Sequence, residues 1–428
     1  METARYFVKG SSFQAGDPSL QDALAGVYET AERPRCMCVS GGVPMYVAKH
    51  REYVVRRMPD TGPQHHPTCY AYEPECGTSG LGELRGEAVI EHTPEKIEVR
   101  VDFPLARVPG RALPKGEPTE PAEIQAPRRR MSLRALLHLL YERAGLNRWY
   151  PRMEGKRNQG VIHKYLSAAA GDVIVKGEPL SDRLYVPEPF RLENQEEIAD
   201  RRWKKLAILQ SPEDDVQYKM AIVIGEFNGT EATSFGRKVM IKHMPDAPLH
   251  IDIRAWERVE RAYGNLLRAR DADVRWKPRV VMAALIYAKQ PHVYQIDLVS
   301  MMLATDQWLP INGLHELDLI ERLCAERRSF IKPLQYDARL PDQFPNVLLL
   351  DAGPSAKRLH VVNDLADAKA RAAKDRAVRA EGEDAWVWHN GSPIPDIPHL
   401  AERTGRQPAG PTPERPLETH EPAPLATG

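Results

Sequence analysis

Runs of apolar residues and their spacing divide the chain into short strands and a few helices. Met45 to Ala48 and Tyr53 to Arg57 read as two strands of a hairpin, and Glu87 to Glu91 with Lys96 to Phe103 as another pair. Ser132 to Ala144 places Leu133, Leu136, Leu137, Leu140 and Ala144 at helical spacing, with Ser132 as N-cap and Gly145 as the stop. Gln159 to Ala170 predicts a second helix. Met220 to Phe227 is apolar except for Glu226 and predicts a buried strand, ending in an Asn228-Gly229 pair that favours a type I′ hairpin turn. Further on, the pattern predicts a helix over Ala255 to Arg268 and strands over Arg279 to Tyr287 and Val293 to Met301. It then predicts a helix over Leu314 to Arg327, strands at Val347 to Leu350 and Leu359 to Val362, and an Ala-rich helix over Ala366 to Ala380.

Two Pro-rich stretches interrupt this pattern among the 37 prolines. Residues 104–127 read as a linker. Residues 392–428 carry almost no large apolar side chains and read as a disordered tail. At 428 residues and 42% hydrophobic composition, the chain is expected to form two or three cores. Lys and Arg balance Asp and Glu at 59 each, so any electrostatic partner must be recognised by a local patch. No apolar run reaches bilayer length and no leader is evident, so no membrane association is expected and the cytoplasm is the expected compartment. Five cysteines there suit metal ligation better than a disulfide framework.

The most specific chemistry is a Cys/His box. Cys36-Met-Cys38 is followed by a hairpin-sized insert and then by His65-His66-Pro67-Thr68-Cys69. Two ligand pairs on tight turns, brought together by intervening strands, meet the needs of a tetrahedral structural Zn²⁺ site. The expected ligands are Cys36, Cys38, His65 and Cys69, with His66 the alternative imidazole and Cys76 a substitute thiol. Four protein ligands leave no position for a catalytic water. The bland alternative is two buried cysteines beside a polar loop.

Residues 128–157 hold nine basic side chains against two acidic ones, together with Trp149 and Tyr150. Helix, turn and second helix in a basic context suggest a winged-helix or helix-turn-helix element. Arg128, Arg129, Arg130, Arg148, Arg152, Lys156 and Arg157 are its candidate nucleic-acid contacts, with DNA ahead of RNA. A solvated basic face beside a core accounts for the same residues. Scattered His243, His250, His292 and His315 form no metal spacing and read as surface or satisfied core residues.

Cys36-Met-Cys38-Val-Ser-Gly-Gly-Val-Pro-Met-Tyr, Arg57-Met-Pro-Asp-Thr-Gly, the His65 to Cys69 segment and Asn147-Arg148-Trp149 together resemble the bacterial family of domain of unknown function 1173. The resemblance covers about Arg5 to Pro398 and implies a plasmid or integrative-element setting, with no activity attached. The last ordered third also resembles a degenerate PD-(D/E)xK nuclease core. In that superfamily an Asp and a Glu hold a divalent metal that activates water. Here Asn346 and His360 stand at those positions. Asp342, Asp351 and Lys374 are the remaining weak catalytic candidates. An unrelated α/β core in which Asp351 only opens a turn explains the same residues.

The expected architecture is therefore α+β (mixed α/β). It comprises a zinc-bearing β module over 1–103, the linker, a basic helical module over 128–200, a mixed nuclease-like domain over 201–391 and the tail. The leading expectation for function is a zinc-stabilised, non-catalytic nucleic-acid-binding accessory protein of a mobile element. The alternatives are a metal-dependent nuclease with a migrated active site, and a scaffold that takes a protein partner through its Pro-rich tail.

Overall fold

The computed structural model describes residues 4–49, 51–93, 96–108, 129–210, 217–272, 277–382 and 384–401. The chain opens with β1 (Arg5–Val8), β2 (Ser11–Gln14), α1 (Pro18–Ala25), β3 (Arg35–Cys36), β4 (Val43–Lys49) and β5 (Tyr53–Arg57). These strands form one antiparallel sheet in the order β2-β1-β3-β4-β5. Alternation on β1 and β4 turns Tyr6, Val8 and Met45 inward, where they meet Leu20 and Leu24 of α1. The predicted β4–β5 hairpin is present with Met45 opposite Arg57.

β6 (Val89–Thr93) and β7 (Lys96–Val99) follow, then β8 (Ala106–Arg107), α2 (Leu133–Arg143), β9 (Arg148–Trp149), α3 (Gln159–Gly171), β10 (Val173–Val175), β11 (Glu178–Pro179) and β12 (Leu184–Tyr185). β10 pairs parallel to β7, giving a sheet β11-β10-β7-β6. Ser132 caps α2 by accepting from Ala135 N–H at 3.2 Å and is itself held by Asp337. Most of the α2 surface is covered: Leu133 and every residue from Ala135 to Tyr141 are buried.

The centre of the molecule is made from α4 (Gln195–Lys205), β13 (Tyr218–Lys219), β14 (Ala221–Thr233), β15 (Gly236–Ile241), β16 (Leu249–Asp252), α5 (Ile253–Asp271), β17 (Arg279–Gln290), β18 (Val293–Ala304) and β19 (Pro310–Ile311). β13 pairs with β8. The pairings β14–β15, β15–β16, β16–β18, β18–β17 and β17–β14 close on themselves. One face of β14 and β17, carrying Ile222, Ile224, Val281, Ala283 and Leu285, packs into the core around α2. The other, carrying Ala221, Val223, Val280, Met282 and Ile286, packs into the core around α5. Both faces are covered, which is why these strands read as continuous apolar runs.

The Asn228-Gly229 pair does not make the expected turn. β14 runs through it to Thr233, and the register slips between Phe227 and Gly229 as a bulge. Gly229 sits at φ 138 and supplies the kink. Just before the bulge, Glu226 pairs with Arg279 at 2.7 Å and Lys242 at 3.3 Å.

The last unit is α6 (Leu317–Ala325), β20 (Phe330–Ile331), β21 (Val347–Leu349), β22 (Lys357–Val362), α7 (Ala368–Glu381) and β23 (Trp386–His389). β20, β21 and β22 form an antiparallel meander, and α7 crosses over to place β23 parallel to β22. β9 adds at the far edge, giving the order β23-β22-β21-β20-β9.

Residues 128–200 do not pack as a module of their own. Most of their buried apolar side chains share one core with β14, β17 and residues 334–336, Trp149 and Tyr185 join the core around α5, and β9 belongs to the C-terminal sheet. The front of the expected tail is also ordered. Arg322 donates to the Ile394 carbonyl, Trp386 Nε1 to the Asp396 carbonyl and Arg328 to the Pro398 carbonyl, and Ile397 is buried. Nearly all of the linker, 109–127, and the tail beyond 401 lie outside the described residues.

Candidate functional site

The Cys/His box assembles. Cys36 ends β3, and Cys38 follows it in the turn to β4. That turn needs Gly41 and Gly42 at φ 76 and 64. Arg35 clamps it by donating to the carbonyls of Gly41 and Gly42 at 2.9 Å each. His65 follows a 3₁₀ turn over Gly62–Gln64, and Cys69 N–H donates to the His66 carbonyl at 2.8 Å, closing the second tight turn.

The four donor atoms of Cys36, Cys38, His65 and Cys69 lie within 4.8 Å of one another. Cys36 Sγ and Cys69 Sγ are 3.7 Å apart. His65 Nδ1 is 3.2 Å from Cys38 Sγ and 3.8 Å from Cys69 Sγ. A tetrahedral ion with metal–sulfur bonds of about 2.3 Å sets its sulfurs roughly 3.8 Å apart and a nitrogen roughly 3.5 Å from each sulfur. The spacing therefore fits one ion at the centre, and the cluster could hold a metal.

His65 is the imidazole of the set: it is 2% exposed, whereas His66 turns outward to Thr68 at 2.8 Å. Nδ1 faces the sulfurs, which leaves Nε2 to carry the ring proton; that atom is buried and has no partner among the described residues. Cys76 does not join the set, because Arg85 Nη1 lies 2.6 Å from its sulfur. Hydrogen bonds from Cys36 and then Cys69 hold Cys38 far below the usual thiol range, so the cluster favours a thiolate at Cys38. The bond to Cys38 pushes Cys36 up to about 11, and bonds to Cys36 and Cys38 raise Cys69 as well.

The centre lies at a junction. Cys69 packs against a small core of Tyr72, Tyr150, Ile331, Leu348 and Leu350, and Arg148 donates to the Tyr72 carbonyl at 2.7 Å. The N-terminal sheet thus meets the C-terminal sheet beside these ligands.

A second polar cluster sits at the head of the C-terminal unit. Glu316, just before α6, is 0% exposed and Lys332 is 1% exposed; Lys332 Nζ donates to Glu316 at 2.8 Å and to the Asn346 carbonyl at 2.6 Å. Asn346 Nδ2 donates to Glu316 at 2.6 Å. Asn346 Oδ1 accepts from Val361 N–H and from Lys374 Nζ, each at 2.9 Å. Burial pushes Glu316 up, but Lys332 and His315 outweigh it and hold the carboxyl at about 2. Burial lowers Lys374 to about 8. A cavity of about 110 Å³ opens beside this cluster, lined in part by Asn312, His315, Asp342, Asn363, Arg371 and Lys374.

The weak catalytic candidates separate. Lys374 and Asp342 line that cavity. Asp351 does not: it accepts from Arg328 at 2.8 Å and from Ser329 N–H at 2.6 Å, an internal brace. His360 is fully buried and bonds Glu381 at 2.8 Å.

Half of the described candidates in the basic stretch are engaged within the fold. Arg129 pairs with Glu83 at 2.8 Å. Arg148 and Arg157 serve backbone carbonyls, and Arg157 also lies over the Trp149 ring. Arg130, Arg152 and Lys156 are exposed, and Arg128 lies outside the described residues. On α3, Lys164 is the one Lys or Arg, so that helix lacks the charge of a groove-reading element.

Three features escape the sequence pattern: the Glu316–Lys332 pair, His315 in the cavity wall, and the exposed arc of α7, where Lys369, Arg371, Arg376 and Arg379 outnumber Asp375. A lysine inside the apolar run Phe330-Ile-Lys332-Pro-Leu is the signal that points to the first.

No curated protein and no solved structure matches the chain. A family model described as a protein of unknown function, DUF1173, matches residues 6–391. That match spans nearly the whole chain, including every ligand of the Cys/His centre, and the protein belongs to the DUF1173 family.

Proposed function

We propose that the protein is a zinc-stabilised, non-catalytic nucleic-acid-binding accessory factor of a bacterial mobile element. Three thiols and one imidazole at these distances suit a borderline-soft ion such as Zn²⁺. With four protein ligands the ion would be structural, holding the β3–β4 turn to the His65–Cys69 turn.

The observation that carries the nucleic-acid reading is the exposed arc of α7. Four cations face solvent there, next to exposed Arg358 near the start of β22 (itself paired with Glu381 at 3.6 Å). Such a strip can neutralise a run of phosphates without base contacts. The order α6, three antiparallel strands, α7 and a parallel strand supports a nuclease-like ancestry. The chemistry does not support retained metal-dependent cleavage. Glu316 already answers Lys332, and Lys374 fills the acceptor of Asn346, so a divalent cation would face two ammonium groups.

Mobility-shift titrations of DNA and RNA across a salt series test the proposal. Binding should weaken steeply with salt and fall in the double variant Arg376→Glu/Arg379→Glu. No salt-sensitive binding to either polymer rules the reading out. Cleavage appearing with Mg²⁺ or Mn²⁺ would instead favour a nuclease with a migrated site.

A further inference from the structure

We infer that the cavity between the Asn312–Glu316 segment, the Pro341–Asn346 loop and α7 is a binding pocket for a phosphate-class oxyanion. Its volume of about 110 Å³ exceeds what several bound waters need, and it opens to the surface beside the basic arc of α7. Of the charged side chains in its wall among the described residues, Lys374 and Arg371 are cations and Asp342 is the one carboxylate. Behind that wall, Glu316 and Lys332 neutralise each other, so they add no net charge. The net field therefore favours an anion over a metal ion.

The donors suit an oxyanion. Lys374 is 6% exposed and spends two of its three N–H groups on the Phe344 carbonyl at 2.7 Å and Asn346 Oδ1 at 2.9 Å. One N–H remains for a ligand, and those two acceptors fix where the ammonium sits. His315 in the same wall adds a ring N–H, and Asn363 adds its amide. His315 is seated by Gly313: a Cβ at that glycine would stand 2.7 Å from His315 Nδ1. Arg371 on the rim can give a forked contact to two oxygens.

A polynucleotide end and a free phosphate or nucleotide present the same oxyanion. The inference needs only the pocket and stands without the polymer-binding reading. The test uses the full chain and inorganic phosphate as probe, followed by calorimetry and by ³¹P line broadening. Saturable phosphate binding is expected, with sulfate competing and chloride not. Arg371→Glu, an exposed change, should weaken it at least tenfold, and Lys374→Met should abolish it. If Lys374→Met does not fold, Arg371→Glu with His315→Ala supplies the same reading. Absence of saturable phosphate binding, or binding unchanged in Arg371→Glu, overturns the inference. A second arm compares 5′-phosphorylated with 5′-hydroxyl oligonucleotides. Preference for the former, lost with Arg371→Glu, assigns the pocket to a strand end; phosphate binding without that preference assigns it to a free phosphate or nucleotide.

Discussion

Lys332 and Glu316 meet at 2.8 Å with each side chain 1% exposed, an ion pair closed off from water in the head of the C-terminal unit. Asn312 and Asn346 complete the carboxylate, and both also line the cavity. The pair braces that wall and adds no net charge to it.

Removing one partner leaves the other charged and buried. Lys332→Met should therefore lower unfolding stability by about 3–5 kcal/mol in urea titrations. The double variant Lys332→Met/Glu316→Leu should recover much of that loss. Equal loss in single and double variants would refute this view of the pair.

Acid should act in two windows. Burial and nearby Arg134 lower His138 from the ordinary 6.5 to about 3, and Tyr336 N–H donates to its Nδ1 at 2.9 Å, which requires a neutral ring. The unfolded chain takes up this proton below pH 6.5 while the native one does not, so stability falls from there toward pH 3. One such histidine costs about 2 kcal/mol at pH 5. Glu316 adds loss of the same sign as pH falls from 4.5 through about 2. Chemical denaturation at about pH 7.5 and about pH 5 checks the first window, with histidine NMR showing His138 still neutral at the lower pH.

The β3–β4 turn is legible in the sequence, because Gly41-Gly42 beside Cys36 and Cys38 marks a left-handed backbone. A Cβ at Gly42 would lie 2.9 Å from Met37 Sδ at φ 64, whereas one at Gly41 would meet nothing within 4 Å. Gly42→Ala should then cost about 1–3 kcal/mol and loosen the metal. Gly41→Ala should cost less. The comparison is made by thermal unfolding with and without a chelator.

The segment after β23 should contribute to stability through Ile397 and three carbonyl contacts. A chain ending at Ser392 should melt several degrees below one ending at Ala401. Equal melting would remove that role.

Local pattern identifies the Cys/His box, α2 with its Ser132 cap, and the long buried strands, because each is written in adjacent residues. The features it misplaces depend on distant ones. Arg148 and Arg157 look like surface cations in sequence, yet their partners are carbonyls at Tyr72, Leu146 and Gln307. Asn228-Gly229 is a turn signal, but β15 pairs with β14 across it from Phe227 to Thr233 and holds it extended. The prolines at Pro393, Pro395 and Pro398 suggest a disordered tail, but Arg322 and Arg328, some 70 positions earlier, hold the Ile394 and Pro398 carbonyls in place. Glu316 and Lys332 each look ordinary alone and acquire meaning only as a pair.

Metal content of the purified full chain decides whether Cys36, Cys38, His65 and Cys69 form a metal centre. Mass spectrometry without added metal should find close to one zinc per chain, lost in Cys69→Ser, with that variant melting lower or failing to fold. A metal-free wild type that folds and melts like the Cys69→Ser variant would contradict it.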